Sequence, residues 1–206
     1  MIITSLGKQF FKLQTGDFVI ALNPISKDSK FKVNGFGADI AMISTNHPDY
    51  NGGDVVEYGN KTPFVIQGPG EYEISDIMIQ GFATKGYEDR INSIYYFEFD
   101  GIKILYLGAI YQPEIPLEAR QKIGDVDMLF VPVGGKTVID AAAANKLAVS
   151  FGPKVIIPMD YGSDQESGSL KSFLKESGNE KVAPVDKLTV KLKDLAGKEQ
   201  EAIVIE

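Results

Sequence analysis

The first hundred residues are dominated by short apolar runs broken by turn residues, a pattern of strands rather than helices. Met1–Leu6 reads as a strand. Phe10–Gln14 and Phe18–Leu22 flank Thr15-Gly16-Asp17, which is a hairpin signal. The polar, Gly-containing stretch Asp28–Gly37 predicts a loop. Ala38–Ser44 predicts a buried strand that runs directly into Thr45–Gly53. Further strands are expected at Pro63–Gln67, Glu71–Ile74, Ile77–Gly81, Ser93–Phe99 and Ile102–Leu107. Gly68-Pro69-Gly70 punctuates this series, and Asp100-Gly101 suits a two-residue turn whose φ > 0 demand glycine meets.

The pattern changes in the second half. Pro116–Ile123 and the Ala-rich Ile139–Phe151 predict helices, the second stopped by Gly152-Pro153. Val126–Val133 and Val155–Met159 are continuous apolar runs, expected of strands covered on both faces. A helix at Ser169–Glu176 and strands at Leu188–Leu192 and Ala202–Ile205 complete the series. A β-rich half followed by a mixed half suits layered sheets with helices outside, in one domain over residues 1–206.

Composition narrows the chemistry. With 44% hydrophobic and 24% charged residues the chain has the balance of a soluble globular protein. No apolar run approaches the roughly 20 residues of a spanning helix, and the N-terminus lacks a signal-peptide pattern, so a cytoplasmic location without membrane contact is expected. The net charge of −7 disfavours nucleic acid as a partner. A small molecule or a protein remains as partner, and self-association is left open. Cysteine is absent and histidine occurs once, as His47, so any zinc site would have at most one nitrogen ligand and would otherwise depend on carboxylates.

Polar residues collect where buried strands end: His47 and Asp49 after Ser44, Gly108-Ala109 after Leu107, and Asp160 after Met159. Each has a plain structural alternative. His47 could be a turn residue and Asp160 a cap, while Glu71 and Glu73 read as solvent-facing strand positions. No Gly-x-Ser-x-Gly elbow is present. Gly134-Gly135-Lys136-Thr137 lacks the first glycine that a phosphate loop requires.

The loop Ser44-Thr45-Asn46-His47-Pro48-Asp49-Tyr50-Asn51-Gly52 resembles the His-x-His-x-Asp-His metal loop of the metallo-β-lactamase superfamily. Gly68–Glu73, Asp127–Gly135 and Pro153–Tyr161 resemble, in order, segments of one branch of predicted zinc-dependent hydrolases similar to the L-ascorbate-6-phosphate lactonases. The resemblance covers nearly the whole chain. It implies an α/β (α+β) fold, a four-layer αββα sandwich of metallo-β-lactamase type.

Carried over position by position, the resemblance implies an altered site. The motif histidines fall on Thr45, His47 and Tyr50, and the motif aspartate on Asp49. A later histidine falls near Lys85, the bridging aspartate on Ala109, and the last histidine on Asp160; a Gly-His pair near the N-terminus becomes Gly7-Lys8. Two family ligands are thus unchanged, and Asp160 is a third by substitution.

In the family two ions share a hydroxide, so losing the carboxylate at Ala109 removes their bridge. The expectation is a catalytically silent or altered protein with no cofactor. The alternative is a hydrolase holding one divalent ion (Mg, Mn or Zn) on His47, Asp49 and Asp160, with Asp49 or His47 activating water. A third reading is metal-free chemistry or ligand binding in the residual cleft, whose pocket residues are Lys8, Thr45, Tyr50, Lys85 and Ala109, with Lys8, Tyr50 and Lys85 as anion-binding groups. Separately, one or both of the Lys8 and Lys85 ammonium groups are expected either to replace the metal charge in a polar, ion-paired core or to point to water.

Overall fold

In the computed structural model, which describes residues 1–162 and 168–206, two mixed sheets pack face to face. The first contains β1 (Ile2–Ser5), β2 (Phe11–Thr15), β3 (Phe18–Leu22), β4 (Ile40–Ile43), β5 (Phe64–Gln67) and β12 (Leu188–Thr189), in the order β12-β1-β2-β3-β4-β5. The second contains β6 (Gly70–Ile74), β7 (Ile77–Lys85), β8 (Ile91–Phe99), β9 (Ile102–Tyr106), β10 (Met128–Pro132), β11 (Val155–Met159) and β13 (Glu201–Ala202). Its order is β13-β11-β10-β9-β8-β7-β6. This is the metallo-β-lactamase type of α/β sandwich that the sequence led us to expect.

Strand direction decides where a site can be built. β1 and β3 both run antiparallel to β2, and β4 is parallel to β3, so β1, β3 and β4 end at one edge of the first sheet. β9, β10 and β11 are mutually parallel in the second sheet. The loops leaving these strands meet at one end of the sandwich, where the carboxyl ends of parallel strands commonly open a cleft.

The continuous apolar runs are explained by burial on both faces. In β10, Met128 and Phe130 enter the core between the sheets, while Leu129 and Val131 face the helices outside. In β11, Val155, Ile157 and Met159 point inward and Ile156 outward. Between the sheets Phe11 meets Phe130 edge to face, with centroids 5.1 Å apart.

Helices α1 (Leu117–Lys122), α2 (Ala141–Phe151) and α3 (Ser169–Glu176) lie outside the second sheet. α2 begins two residues later than the apolar pattern suggests because Asp140 caps it, accepting the Ala143 N–H at 2.8 Å. The outer face of the first sheet is covered differently. Val19, Ala21 and Ala41 pack against Ile25, Val33, Phe36 and Val56, which belong to a loop and to the 3-10 turn Gly53–Val56. The strand expected at Leu188–Leu192 shortens to two residues, because Val190 bonds the chain start through Met1 and a 3-10 turn begins at Leu192. No helix among the described residues is long and apolar enough to cross a membrane.

Tyr95 ties the two sheets together. The buried Tyr95 hydroxyl, on β8, donates to the Ile43 carbonyl on β4 at 2.7 Å and accepts from the Gly68 N–H at 3.2 Å. Burial pushes its ionisation up to about 12. The folded state therefore holds this proton more tightly than the unfolded chain, and the stabilisation is complete below pH 10 and lost as pH rises towards 12. Tyr95→Phe is expected to cost about 1–3 kcal/mol at pH 7 by urea denaturation, and to reduce the loss of stability between pH 10 and 12.

Candidate functional site

Lys8 follows β1, Asp49 lies in the loop after β4, and Asp160 follows β11. Their side chains converge. Lys8 Nζ lies 3.2 Å from Asp49 Oδ2 and 3.3 Å from Asp160 Oδ1. The three side chains are 20%, 14% and 7% exposed, so the ion pairs are shielded from most of the solvent. Lys8 and Asp160 both adopt left-handed backbone conformations (φ 52° and 54°), and the Asp160 N–H donates to the Lys8 carbonyl at 2.9 Å. Such conformations are costly for non-glycine residues and persist where the surroundings enforce them.

Neutral donors also engage both carboxylates. Asp160 Oδ2 accepts from Gln9 Nε2 at 2.8 Å and from the Tyr50 hydroxyl at 2.6 Å. Asp49 Oδ1 accepts from the Ser29 hydroxyl at 2.6 Å. Behind them the chain of bonds continues into the core. Asn23 Nδ2 donates to Gln9 Oε1 and to Ser44 Oγ, Asn23 Oδ1 accepts the Ser44 N–H, and Ser44 Oγ accepts the Ala109 N–H. Gly108 permits this last approach, since a Cβ there would sit 2.4 Å from Ser44 Cβ.

Electrostatics follow from these contacts. Burial alone would raise the Asp49 pKa, but the Ser29 hydroxyl and the Lys8 ammonium outweigh it and hold the carboxyl below its ordinary value. Burial and the adjacent Asp160 carboxylate push the Tyr50 hydroxyl well above its ordinary range, so it donates a hydrogen bond and does not serve as a phenolate base. His47 Nδ1 accepts the Asp49 N–H at 3.1 Å, an arrangement that leaves Nε2 as the ring's donor. Nδ1 also lies 4.0 Å from Asp49 Oδ2.

These groups line one side of a cleft of about 590 Å³, a size suited to a small molecule. Thr45, His47, Asp49, Tyr50, Ala109 and Lys8 all border it, and Asp160 lies behind Lys8. Tyr50, Ala109 and Val138 make a small apolar patch beside the carboxylates. Lys85 is the exception. Phe82 and Thr84 on β7 are buried, so Lys85 falls on the exposed side of the strand, and it does not border the cleft. Tyr87, Glu88 and Arg90 of the following turn stand there instead.

Sequence reasoning missed Gln9, Asn23, Ser29 and Ser44, whose bonds reach across the fold. It also set aside Lys136 and Thr137, which border the cleft. His47, Asp49 and Asp160 do not form a shared ligand set: among the described residues no three His, Asp or Glu side chains make a group able to hold a metal ion.

The fold and the sequence together define the class. The family model of the β-lactamase superfamily domain matches residues 2–160, and the chain belongs to that family. A UPF0173 protein of Pyrococcus abyssi, PYRAB01190, is 24% identical over 88% of this chain and 93% of its own length. Another, PF0020 of Pyrococcus furiosus, is 30% identical over 52% of this chain, a match that spans about half (48%) of that relative. Among solved structures, a Thermotoga maritima protein described as a Zn-dependent hydrolase of the metallo-β-lactamase superfamily superposes with a TM-score of 0.79 and 27% identity. That match covers 100% of this chain and 98% of the other.

Removing the ammonium would strand two largely buried carboxylates. Lys8→Met is expected to lower the unfolding free energy by about 3 kcal/mol in urea titrations at pH 7. Adding Asp160→Asn should return part of that loss, because the second uncompensated charge disappears; strictly additive losses would show that the pair is not coupled.

Proposed function

We propose that this protein is a metal-free member of the metallo-β-lactamase superfamily, catalytically altered, in which a tethered ammonium group takes the place of the metal charge at the floor of a ligand-binding cleft. The observation that carries the reading is the position of Lys8 Nζ, within 3.3 Å of carboxylates from both sheets. On the sequence resemblance, in the branch similar to the L-ascorbate-6-phosphate lactonases, metal-ligand positions fall on Thr45, His47, Asp49, Tyr50, Ala109 and Asp160.

The donor set does not fit a dinuclear metal centre. Thr45 and Ala109 offer no strong metal ligand, and Tyr50 is a protonated donor to Asp160. The oxygens of Asp49 and Asp160 are already engaged by Lys8, Ser29, Gln9 and Tyr50. A single cation held by His47, Asp49 and Asp160 would have to displace the Lys8 ammonium, and two charges of the same sign this close repel strongly in a part-buried site. Lys8 thus supplies the compensating charge, and Asp49 and Asp160 hold it in place.

Metal analysis of untagged protein, with zinc and manganese titrations by calorimetry, tests this directly. Far less than one equivalent of transition metal and no high-affinity uptake are expected; stoichiometric metal would overturn the reading. Lys8→Ala frees both carboxylates and should raise divalent-cation affinity by about tenfold or more.

A further inference from the structure

The cleft contains hydrogen-bonding groups of unequal standing. Its central acceptors, the carboxylates of Asp49 and Asp160, are satisfied internally as described above. Glu88 is paired with Arg90. Several donors have no acceptor partner among the described residues. Among the described residues neither Lys30 nor Lys136 lies within 4.0 Å of a carboxylate, and His47 Nε2–H has no partner there. All three residues border the cleft. Among the described residues the only unpaired acid bordering it is Asp28, exposed at the rim. A ligand that completes this set must be an acceptor carrying negative charge.

The walls add a second requirement. Phe31 and Tyr87, each 39% exposed, border the same cleft. Lys8 Nζ and Lys30 Nζ lie 4.8 and 5.3 Å from the Phe31 ring centroid, so this ring sits beside Lys30, one of the cations that would meet the ligand's charge. Tyr87 is steadied by an edge contact to Tyr111, with centroids 5.3 Å apart. Exposed aromatic faces beside unpaired ammonium groups suit a flat apolar body that bears an acid group.

Resting on the reading of a metal-free binding cleft, we propose that the ligand is a small organic anion with an aromatic body. Its acid group is met by Lys30, Lys136 and His47 Nε2–H, and its ring is stacked against Phe31 and Tyr87. The ammonium of Lys8, already shared by two carboxylates, holds the floor of the cleft and is not a main contact.

The probe is 1-anilinonaphthalene-8-sulfonate, an aromatic monoanion, titrated by fluorescence against the full chain. Uncharged N-phenyl-1-naphthylamine serves as its comparison. We expect one equivalent of the anion to bind, and Lys30→Met/Lys136→Met to weaken it about tenfold or more with little change for the neutral compound. Phe31→Ala should weaken both. Lys171→Met, beside a separate groove near α3, should change neither.

Equal anion affinity in the double variant, or sensitivity to Lys171→Met instead, would falsify the proposal. All three lysines are exposed, and unchanged melting temperatures confirm that the variants fold. Metal content measured on the same samples separates the two readings. Stoichiometric zinc defeats the metal-free cleft, whereas a metal-free protein indifferent to Lys30 and Lys136 defeats only the anion assignment.

Discussion

The open end of the sandwich depends on a single ammonium held between two carboxylates. Lys8 and Asp49 extend from the first sheet and Asp160 from the second, so the ion pairs bridge the layers where their strands end. Apolar packing closes the rest of the intersheet space, with Phe11, Tyr106 and Phe130 in contact. At the open end three loops from distant parts of the sequence must instead share polar groups. An unpaired carboxylate there would be costly, and its partner cannot move without exposing that cost.

The polar network behind the ion pairs explains why the arrangement is specific. Gln9 joins Asp160 to Asn23, and Asn23 joins both to Ser44 and so to the loop at Ala109. The Tyr106 hydroxyl adds a bond to the Gln9 carbonyl at 3.0 Å. Every link crosses between segments that are far apart in sequence. Mutual satisfaction of these groups selects one register for the loops, in the way buried polar groups are known to select unique packing in some proteins.

Much of the fold was legible because burial on both faces leaves continuous apolar runs, as in Val126–Val133 and Val155–Met159. The hairpin at Thr15-Gly16-Asp17 and the stop at Gly152 were readable from turn chemistry. The site was legible only where a motif carried it. His47, Asp49 and Asp160 stood out as polar residues at strand ends, yet their partners did not. Gln9, Asn23 and Ser44 look like ordinary polar residues until the topology brings them together. The left-handed backbone at Lys8 and Asp160 carries no sequence signal, since glycine is absent from both positions. Lys85 shows the converse: motif alignment placed it near the cleft, but strand alternation on β7 turned it outward.

The number of neutral donors follows from the charge of the cation. A divalent ion between two carboxylates would balance them fully, whereas one ammonium leaves a negative charge over. That remainder needs hydrogen bonds, and three side chains supply them: Ser29 on Asp49, and Gln9 and Tyr50 on Asp160. The Tyr50 proton is held well beyond its ordinary range, because burial and the adjacent Asp160 carboxylate both oppose its ionisation. The Tyr50 hydroxyl and the Lys8 ammonium therefore belong to one arrangement around Asp160. Losing the ammonium would leave Asp49 and Asp160 without a compensating charge, and losing the Tyr50 hydroxyl would leave Asp160 with one donor fewer.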